Sequence, residues 1–470
     1  MNLTILEEPE LEFGGGNRHV DIRFGIRDYG PFDLQSSRAP KEVRIGLIGT
    51  TETVEGTTRW IEKCSQGVTQ KQTKQPNLFP PFPPISSTSS FCCAFVTDAS
   101  LARTLTNTSL ETVSDEATIA DRVERAVDLF IKEVEFLAEN SNPNVIMCAL
   151  PVELLEMLYE ERKSPGRKDL HHLLKARTMQ WRIPIQLILP STYDESKARK
   201  LKRTGIPRPL QDEATRAWNI FSALYYKAGG TPWRLVRDPS QFSACFVGIS
   251  FFESLDRSRL TTSMAQVFNE LGEGVVVRGG SASLSKDDRQ PHLSGDDCQA
   301  LITDALAKYR DVHRTLPARV VIHKSSPFSQ EEEAGARKAI KEARIDIYDL
   351  IHVNDSEIRL YRDGVYPPLR GTFLQTSGRS GVLYTKGSVP FFETYPGMYV
   401  PKPVSIKIAA GDQTPLGHAR EILALTKMNW NSTQFDGGMP LTLTAAQSVG
   451  NVLKHCQDNQ RIEPRYSFYM

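Results

Sequence analysis

Apolar and polar positions divide the chain into two successive α/β series. In the first, Val43-Arg44-Ile45-Gly46-Leu47-Ile48 reads as a strand, residues 52–64 as a helix and residues 91–96 as strand-like. Between 115 and 140, apolar residues at 119, 123, 127, 130, 131, 134 and 137 recur near the helical period, which predicts a long amphipathic helix with its stripe on a core. Val145-Ile146-Met147-Cys148-Ala149-Leu150 is continuously apolar, as a strand buried on both faces must be. Residues 169–179 read as a helix, Leu187-Ile188-Leu189 as an apolar strand, and residues 212–226 as a helix closed by Lys227 and stopped by Gly229-Gly230. Strands and helices in alternation imply a parallel, doubly wound α/β sandwich.

From residue 242 the pattern restarts. Strands are predicted at 246–252, 274–280, 319–324 and 345–353, with helices at 296–310 and 329–343 between them. Glycine- and proline-punctuated hairpins run to residue 410, followed by helices at 415–425 and 444–456. Residues 1–40 carry glycine clusters that mark turns, and residues 66–90, with Pro80-Pro81-Phe82-Pro83-Pro84, resist regular structure and read as a long surface loop.

Composition narrows the class. At 470 residues the chain can bury two or three cores, and 40% hydrophobic with 24% charged residues is ordinary for a globular protein. There is no run of eighteen apolar residues to span a membrane, and the acidic first ten residues lack a signal peptide's basic and apolar regions. Seven scattered cysteines without a Cys-x-x-Cys pair fit a reducing cytoplasm and argue against structural zinc. Net charge is only +1, but residues 161–210 hold thirteen Lys/Arg against four Asp/Glu, a local +9. That concentration suits a groove for a nucleic-acid backbone or, more blandly, a solvated loop.

The candidate chemistry lies in and beside this basic stretch. His171 and Lys175 are four apart on a predicted helix, so both project from one face. Gln186 opens the next strand and Lys227 closes the later helix. Two lysines, an imidazole and an amide can converge on one compact anion, and a terminal phosphate offers several acceptor oxygens and nearly two charges. On spacing alone, solvated surface charge is the commoner meaning of such residues. Gly14–Gly16 lacks the lysine and following helix of a phosphate loop, and neither His-Glu-x-x-His nor Gly-x-Ser-x-Gly occurs.

The order His171…Lys175…Gln186…Lys227, then Thr-Pro-Trp-Arg-Leu at 231–235, resembles the guide 5′-phosphate pocket of the MID domain of Argonaute proteins. Many of these carry a further lysine one turn before the last, where this chain has Ala223. Phe13-Gly14-Gly15, Asp21-Ile22-Arg23 and Tyr29-Gly30-Pro31-Phe32-Asp33 resemble the lead-in segment of short prokaryotic Argonautes. Leu425-Thr426-Lys427-Met428-Asn429-Trp430-Asn431, then Met439-Pro440-Leu441, is similar to the C-terminal part of a PIWI domain.

The resemblance implies an N-terminal segment over 1–40, a Rossmann-like MID domain over 41–235 and an RNase H-like PIWI domain over 236–470. It implies a 5′-phosphorylated small guide RNA, a complementary single-stranded DNA target and a Mg²⁺ bridging the phosphate to the end of the chain at Met470. The positions of the cleaving carboxylates fall on Ser250, Ser325 and Gln447. Neutral hydroxyl and amide groups do not offset the dehydration of Mg²⁺, so a PIWI domain that binds without cutting is expected. Nearby Glu253 and Asp256 lie beyond the strand end that would aim them. Catalysis then belongs to a partner with a PAZ-like part fused to an effector, such as a sirtuin-like or TIR NADase or a nuclease, acting in the cytoplasm against plasmids or phages. Two rivals stay open: an α/β scaffold for a protein partner, and an RNase H-like nuclease with rearranged carboxylates.

Overall fold

The computed structural model describes residues 2–159, 168–198, 209–237, 243–268, 274–397, 399–435, 437–457 and 460–470. Two large sheets organise these residues. The chain builds them one after the other, except that its first strand, β1 (Asn2–Ile5), lies at the edge of the second.

The first sheet is parallel throughout. β2 (Glu42–Gly49) pairs with β3 (Val145–Ala149) on one side and with Ala94–Val96 and Ala102–Thr104 on the other, and β4 (Ile185–Ile188) continues beyond β3. β3 is buried at every position, which is why its sequence does not alternate. The helix Ile119–Asn140 buries Val123, Val127, Phe130, Val134 and Leu137. It starts four residues later than the apolar period suggests, because the Thr118 hydroxyl accepts from the Asp121 N–H and a separate helix, Asn107–Ser114, comes before it. Two further helices, α1 (Leu170–Thr178) and α2 (Glu213–Lys227), close this half. The core of α2 is aromatic: Trp218, Phe221 and Tyr225 are all buried.

The second sheet has ten strands and mixed direction. β5 (Ala244–Glu253) forms a hairpin with β6 (Leu260–Phe268), and the sheet runs on through Val276–Leu284 to Pro291–His292. On its other side β5 pairs in parallel with β7 (Arg319–Lys324), which pairs in parallel with β8 (Ile347–Asp355). Val404–Ala410, Ser380–Leu383, Thr372–Ser377 and β1 complete it, each antiparallel to the last. The sequence pattern passes over β6, whose Thr-Thr-Ser run does not alternate, and backbone pairing with two neighbours holds that strand instead.

The helices α3 (Pro415–Leu425) and α4 (Leu441–Leu453) follow. α4 opens after Pro440 at its N-cap, three residues before the predicted start. It lies directly on β5. A Cβ on Gly248 would stand 2.1 Å from the Thr442 carbonyl oxygen, so only glycine permits this approach. His323 Nδ1 on β7 is 2.8 Å from Thr442 Oγ1.

Two expectations need correction. Residues 1–40 are not turns alone: Asp21 caps a helix, Ile22–Tyr29, by accepting from the Arg23 and Phe24 N–H groups, and Leu11–Glu12 pairs with Arg234–Leu235. The helix escapes a pattern reading because it carries Gly25, where a Cβ would strike the Phe13 ring at 2.2 Å. Residues 66–90 have no helix or strand of their own, but they are not merely a surface loop. Phe82 is buried against Trp218 and Phe221, the Trp218 indole donates to the Pro81 carbonyl at 3.1 Å, and Arg23 Nη1 donates to the Leu78 carbonyl at 2.9 Å.

A buried charge network ties α3 to the middle of the second sheet. Arg319 donates to Asp349 at 2.7 and 2.9 Å and also bonds Glu421. His418 Nδ1 lies 3.1 Å from Glu421 and its Nε2 3.4 Å from Asp349. Burial works against a charged His418, but the two carboxylates outweigh it and raise its pKa. A raised folded value means that protonation stabilises the fold below the ordinary histidine pKa of about 6.5 and that this contribution fades as pH climbs through the folded value. We therefore expect His418→Gln to lose more stability relative to the native chain at pH 6 than at pH 9 in urea unfolding. An equal loss at both pH values rejects a charged His418.

Candidate functional site

Four of the five residues singled out for anion binding meet at the end of the chain. α1 begins at Asp169, whose side chain accepts from the His172 N–H at 3.1 Å, and its last turns bury Lys175 to 3% exposure. Lys175 Nζ donates to the Met470 main-chain oxygen at 2.6 Å and to the Tyr469 carbonyl at 3.3 Å. Lys227, the last residue of α2 and equally buried, donates to Gln186 Oε1 at 2.5 Å and to the same Met470 oxygen at 3.3 Å. Gln186 sits on β4 and is half-buried, its Nε2 donating to the Leu187 carbonyl at 3.0 Å. The fifth residue, His171, stands one turn before Lys175 on α1.

Local structure explains the convergence. α2 stops after Lys227 because Gly229 takes a φ of 98°, and a Cβ on Gly230 would lie 2.2 Å from the Tyr225 ring. The last residues are carried inward by apolar burial: Tyr466, Phe468, Tyr469 and Met470 are at most 7% exposed. Behind Lys227, Tyr226 stacks on Trp430 at 4.4 Å, the Trp430 indole donates to the Trp233 carbonyl and the Trp233 indole donates to the Lys427 carbonyl. Pattern reading connected neither tryptophan to the site, although both lie in the motifs it quoted.

Electrostatics set the site apart from a structural ion-pair cluster. Among the described residues no Asp or Glu side chain forms an ion pair with Lys175 or Lys227. Burial, only partly opposed by Asp169, pulls the Lys175 pKa down to about 7. Burial and the neighbouring Lys175 charge drive that of Lys227 well below its ordinary value. His171 is held neutral, down to about 2, by burial first and then by Lys175 and His172. It therefore brings a neutral imidazole to a place where the sequence allowed a cation. Ala223, one turn before Lys227, is buried, so no third ammonium group stands there. Two desolvated lysines that share the Met470 oxygen, with no acidic side chain paired to them among the described residues, are a place where added negative charge is stabilising.

The wider basic stretch contributes less than its composition suggests. Of its thirteen cations, eight lie outside the described residues. Lys168 and Arg177 pair with Glu124, Arg177 also with Asp128, and Lys197 with Glu52.

The positions compared with a nuclease centre are partly brought together. Ser250, inside β5, and Ser325, just past β7, are brought near each other where the Ser325 N–H donates to the Ile249 carbonyl at 3.2 Å. Gln447 is exposed on α4. Contrary to the expectation that Glu253 lies beyond the strand, it is the last residue of β5, exposed and paired with Leu260, while Asp256 accepts from the Ser254 and Ser258 hydroxyls in the turn that follows. His323 is fully buried, and burial pushes its pKa down to about 3. Behind it Lys324 and Glu332 form a buried pair at 2.8 Å. Among the described residues one group of three His, Cys, Asp or Glu side chains has its ligand atoms within 4.8 Å of one another, and it is Asp169, His171 and His172 on α1.

The fold itself is that of Argonaute proteins: a Rossmann-like α/β half followed by an RNase H-like one. Clostridium butyricum Argonaute, solved with a guide DNA and a 19-mer target DNA, superposes with a TM-score of 0.66 at 15% identity, over 100% of this chain and 55% of that one. Aa-Ago with externally bound siRNA gives 0.63 at 14% identity, over 99% and 55%. Drosophila Piwi gives 0.60 at 13%, over 99% and 56%. The chain thus spans about half the length of the solved structures it resembles. No protein-family model and no curated protein matches the sequence.

Proposed function

We propose that this chain is a short Argonaute, a MID domain over 41–235 and a PIWI domain over 236–470 behind an N-terminal segment, that holds a nucleic-acid guide and does not cut the target. The observation that carries the reading is the pair of buried ammonium groups, Lys175 and Lys227, meeting at Met470 beside Gln186 without a carboxylate side chain to balance them. A terminal phosphate supplies the missing charge, and its oxygens take the donors that now rest on main-chain and amide oxygens. The neutral His171 ring adds a hydrogen bond or a surface for the first base. The guide is a 5′-phosphorylated small RNA and the target single-stranded DNA. Base pairing reads the sequence while the protein holds shape and backbone.

The implied Mg²⁺ finds few ligands in the protein alone. The Met470 oxygen accepts from both lysines and the Gln186 oxygen from one. Met470 would hold the ion only together with phosphate oxygens and water, which complete an octahedral shell, and there it would neutralise charge between phosphate and main chain.

Ser250, Ser325 and Gln447, with no carboxylate cluster beside them among the described residues, favour a silent PIWI domain over a rearranged nuclease. Action then falls to a partner, a PAZ-like protein carrying a sirtuin-like, TIR or nuclease effector, which target pairing shifts from idle to active. The setting is the cytoplasm and the outcome defence against plasmids or phages. Seven free cysteines suit a reducing compartment. No helix among the described residues is long and apolar enough to cross a membrane.

Two measurements test this reading. A charge-assisted hydrogen bond contributes about 1.5–3 kcal/mol, so replacing both Lys175 and Lys227 by alanine should weaken a 5′-phosphorylated strand by roughly two orders of magnitude or more. A 5′-hydroxyl strand should lose much less. Equal losses in fluorescence anisotropy titrations reject the pocket. Guide-loaded protein incubated with complementary DNA and RNA in Mg²⁺ and in Mn²⁺ should release no discrete fragment, and one defined cut opposite the guide rejects the silent PIWI domain.

A further inference from the structure

We infer that Asp169, His171 and His172, at the start of α1, form a binding site for one divalent metal ion of the zinc class. Their ligand atoms lie within 4.8 Å of one another. Zinc bonds to imidazole and carboxylate measure about 2.0–2.2 Å, so small side-chain rotations close the three groups around an ion. Asp169 is already anchored as the helix cap, and its Oδ1 stands 3.1 Å from His172 Nδ1.

A second observation points to a ligand. His172 Nδ1 is buried without a hydrogen-bond partner, although the Asp169 oxygen is near. Both ring nitrogens of His455, a residue only 9% exposed, are buried and unpartnered as well. The His455 ring stacks on His172 with centroids 6.2 Å apart and an angle of 23°. Buried polar atoms normally have partners, and leaving one without is costly. Here one such nitrogen, His172 Nδ1, belongs to the Asp169–His171–His172 group itself, and the two of His455 lie on the ring stacked against it. A metal on this side of α1 satisfies His172, and His455 stands beside it as a further nitrogen donor.

The donors decide the class of ion. Two imidazoles and a carboxylate suit zinc, cobalt or nickel, whereas Mg²⁺ prefers oxygen ligands and keeps its water. The ion would stand one helical turn before Lys175; the site shares His171 with the proposed guide pocket but neither lysine, and it does not require the phosphate reading. The charges of Lys175 and Lys227 act against a cation at His171, and those of Lys454 and Lys168 against one at His455, while Asp169 favours it at both.

The test uses the full chain, freed of metal with a chelator and titrated with Co²⁺ as the probe. We expect one ion per chain, with the visible d–d absorption of a site of low coordination number, displaced by Zn²⁺ and not by excess Mg²⁺. His171→Ala with His172→Ala should abolish the absorption, and the milder His172→Gln should weaken binding at least tenfold. X-ray absorption of the zinc-loaded native chain, which needs no variant, should show two or three imidazole nitrogens. Lys175→Ala with Lys227→Ala should keep the metal while losing preference for a 5′-phosphate, so failure of one proposal is distinguishable from failure of the other. No Co²⁺ uptake, unchanged uptake by the double histidine variant, or an all-oxygen zinc shell overturns the site.

Discussion

Two ammonium groups buried against main-chain and amide oxygens are the constraint around which this molecule is arranged. Desolvating a lysine is costly, and a second one close by adds repulsion. Folding tolerates this at Lys175 and Lys227 because the closing residues deliver a main-chain oxygen to both, and the apolar burial of Tyr466, Phe468 and Tyr469 holds it there. That position is expensive unless something uses it. A protein selected only for stability would place a carboxylate or an apolar side chain at one of the two sites, since removing a buried charge pair in favour of packing is often neutral or better. On the proposed reading this pair, without an acidic side chain of its own, is a receptor for an anion.

The site depends on elements far apart in the chain, and the same region that forms it joins the two sheets. Lys427 donates to the Pro9 and Val20 carbonyls and pairs with Glu8 at 3.2 Å, while Arg370 holds the other side of that carboxylate. Trp233 and Trp430 exchange backbone contacts at the same place, and Tyr226 packs on the latter, one residue before Lys227. The N-terminal segment, the residues after α2 and those after α3 thus form one lock. Movement of either half relative to the other would have to pass through it and would be felt at Lys227. This gives the proposed partner switch a physical route, because whatever occupies the phosphate site and whatever grips the second sheet share these contacts.

How much of this was legible in the sequence follows from what each element relies on. Strands buried on both faces announce themselves by composition, and β3 is an example. The long helix announces itself by its period, though Thr118 rather than the stripe decides where it begins. β6 was silent because backbone pairing rather than side-chain alternation holds it. The helix after Asp21 was masked by Gly25, which is there to admit the Phe13 ring. At the site, Lys175, Gln186 and Lys227 were legible through their order along the chain. Their burial and the neutrality of His171 were not, because both arise from packing between segments that the sequence does not place side by side. The unpartnered nitrogens of His172 and His455 had no signal beyond the adjacent histidines at 171 and 172.

The second sheet raises the question of why a fold able to hold metal-binding carboxylates would carry Ser250 and Ser325 instead. Carboxylates at the ends of adjacent parallel strands repel one another and repel a nucleic-acid backbone unless divalent cations bridge them. A protein that must cut accepts that dependence on metal. On the proposed reading, one that must only hold gains from its loss, since neutral hydroxyls on β5 and just past β7 leave a phosphate backbone unopposed. The two regions then share one logic on this reading: lysines without acidic side chains where the strand begins, and hydroxyls rather than carboxylates where the duplex would lie. On that reading the balance lies with residence rather than turnover, which suits a sensor that relays pairing to another protein.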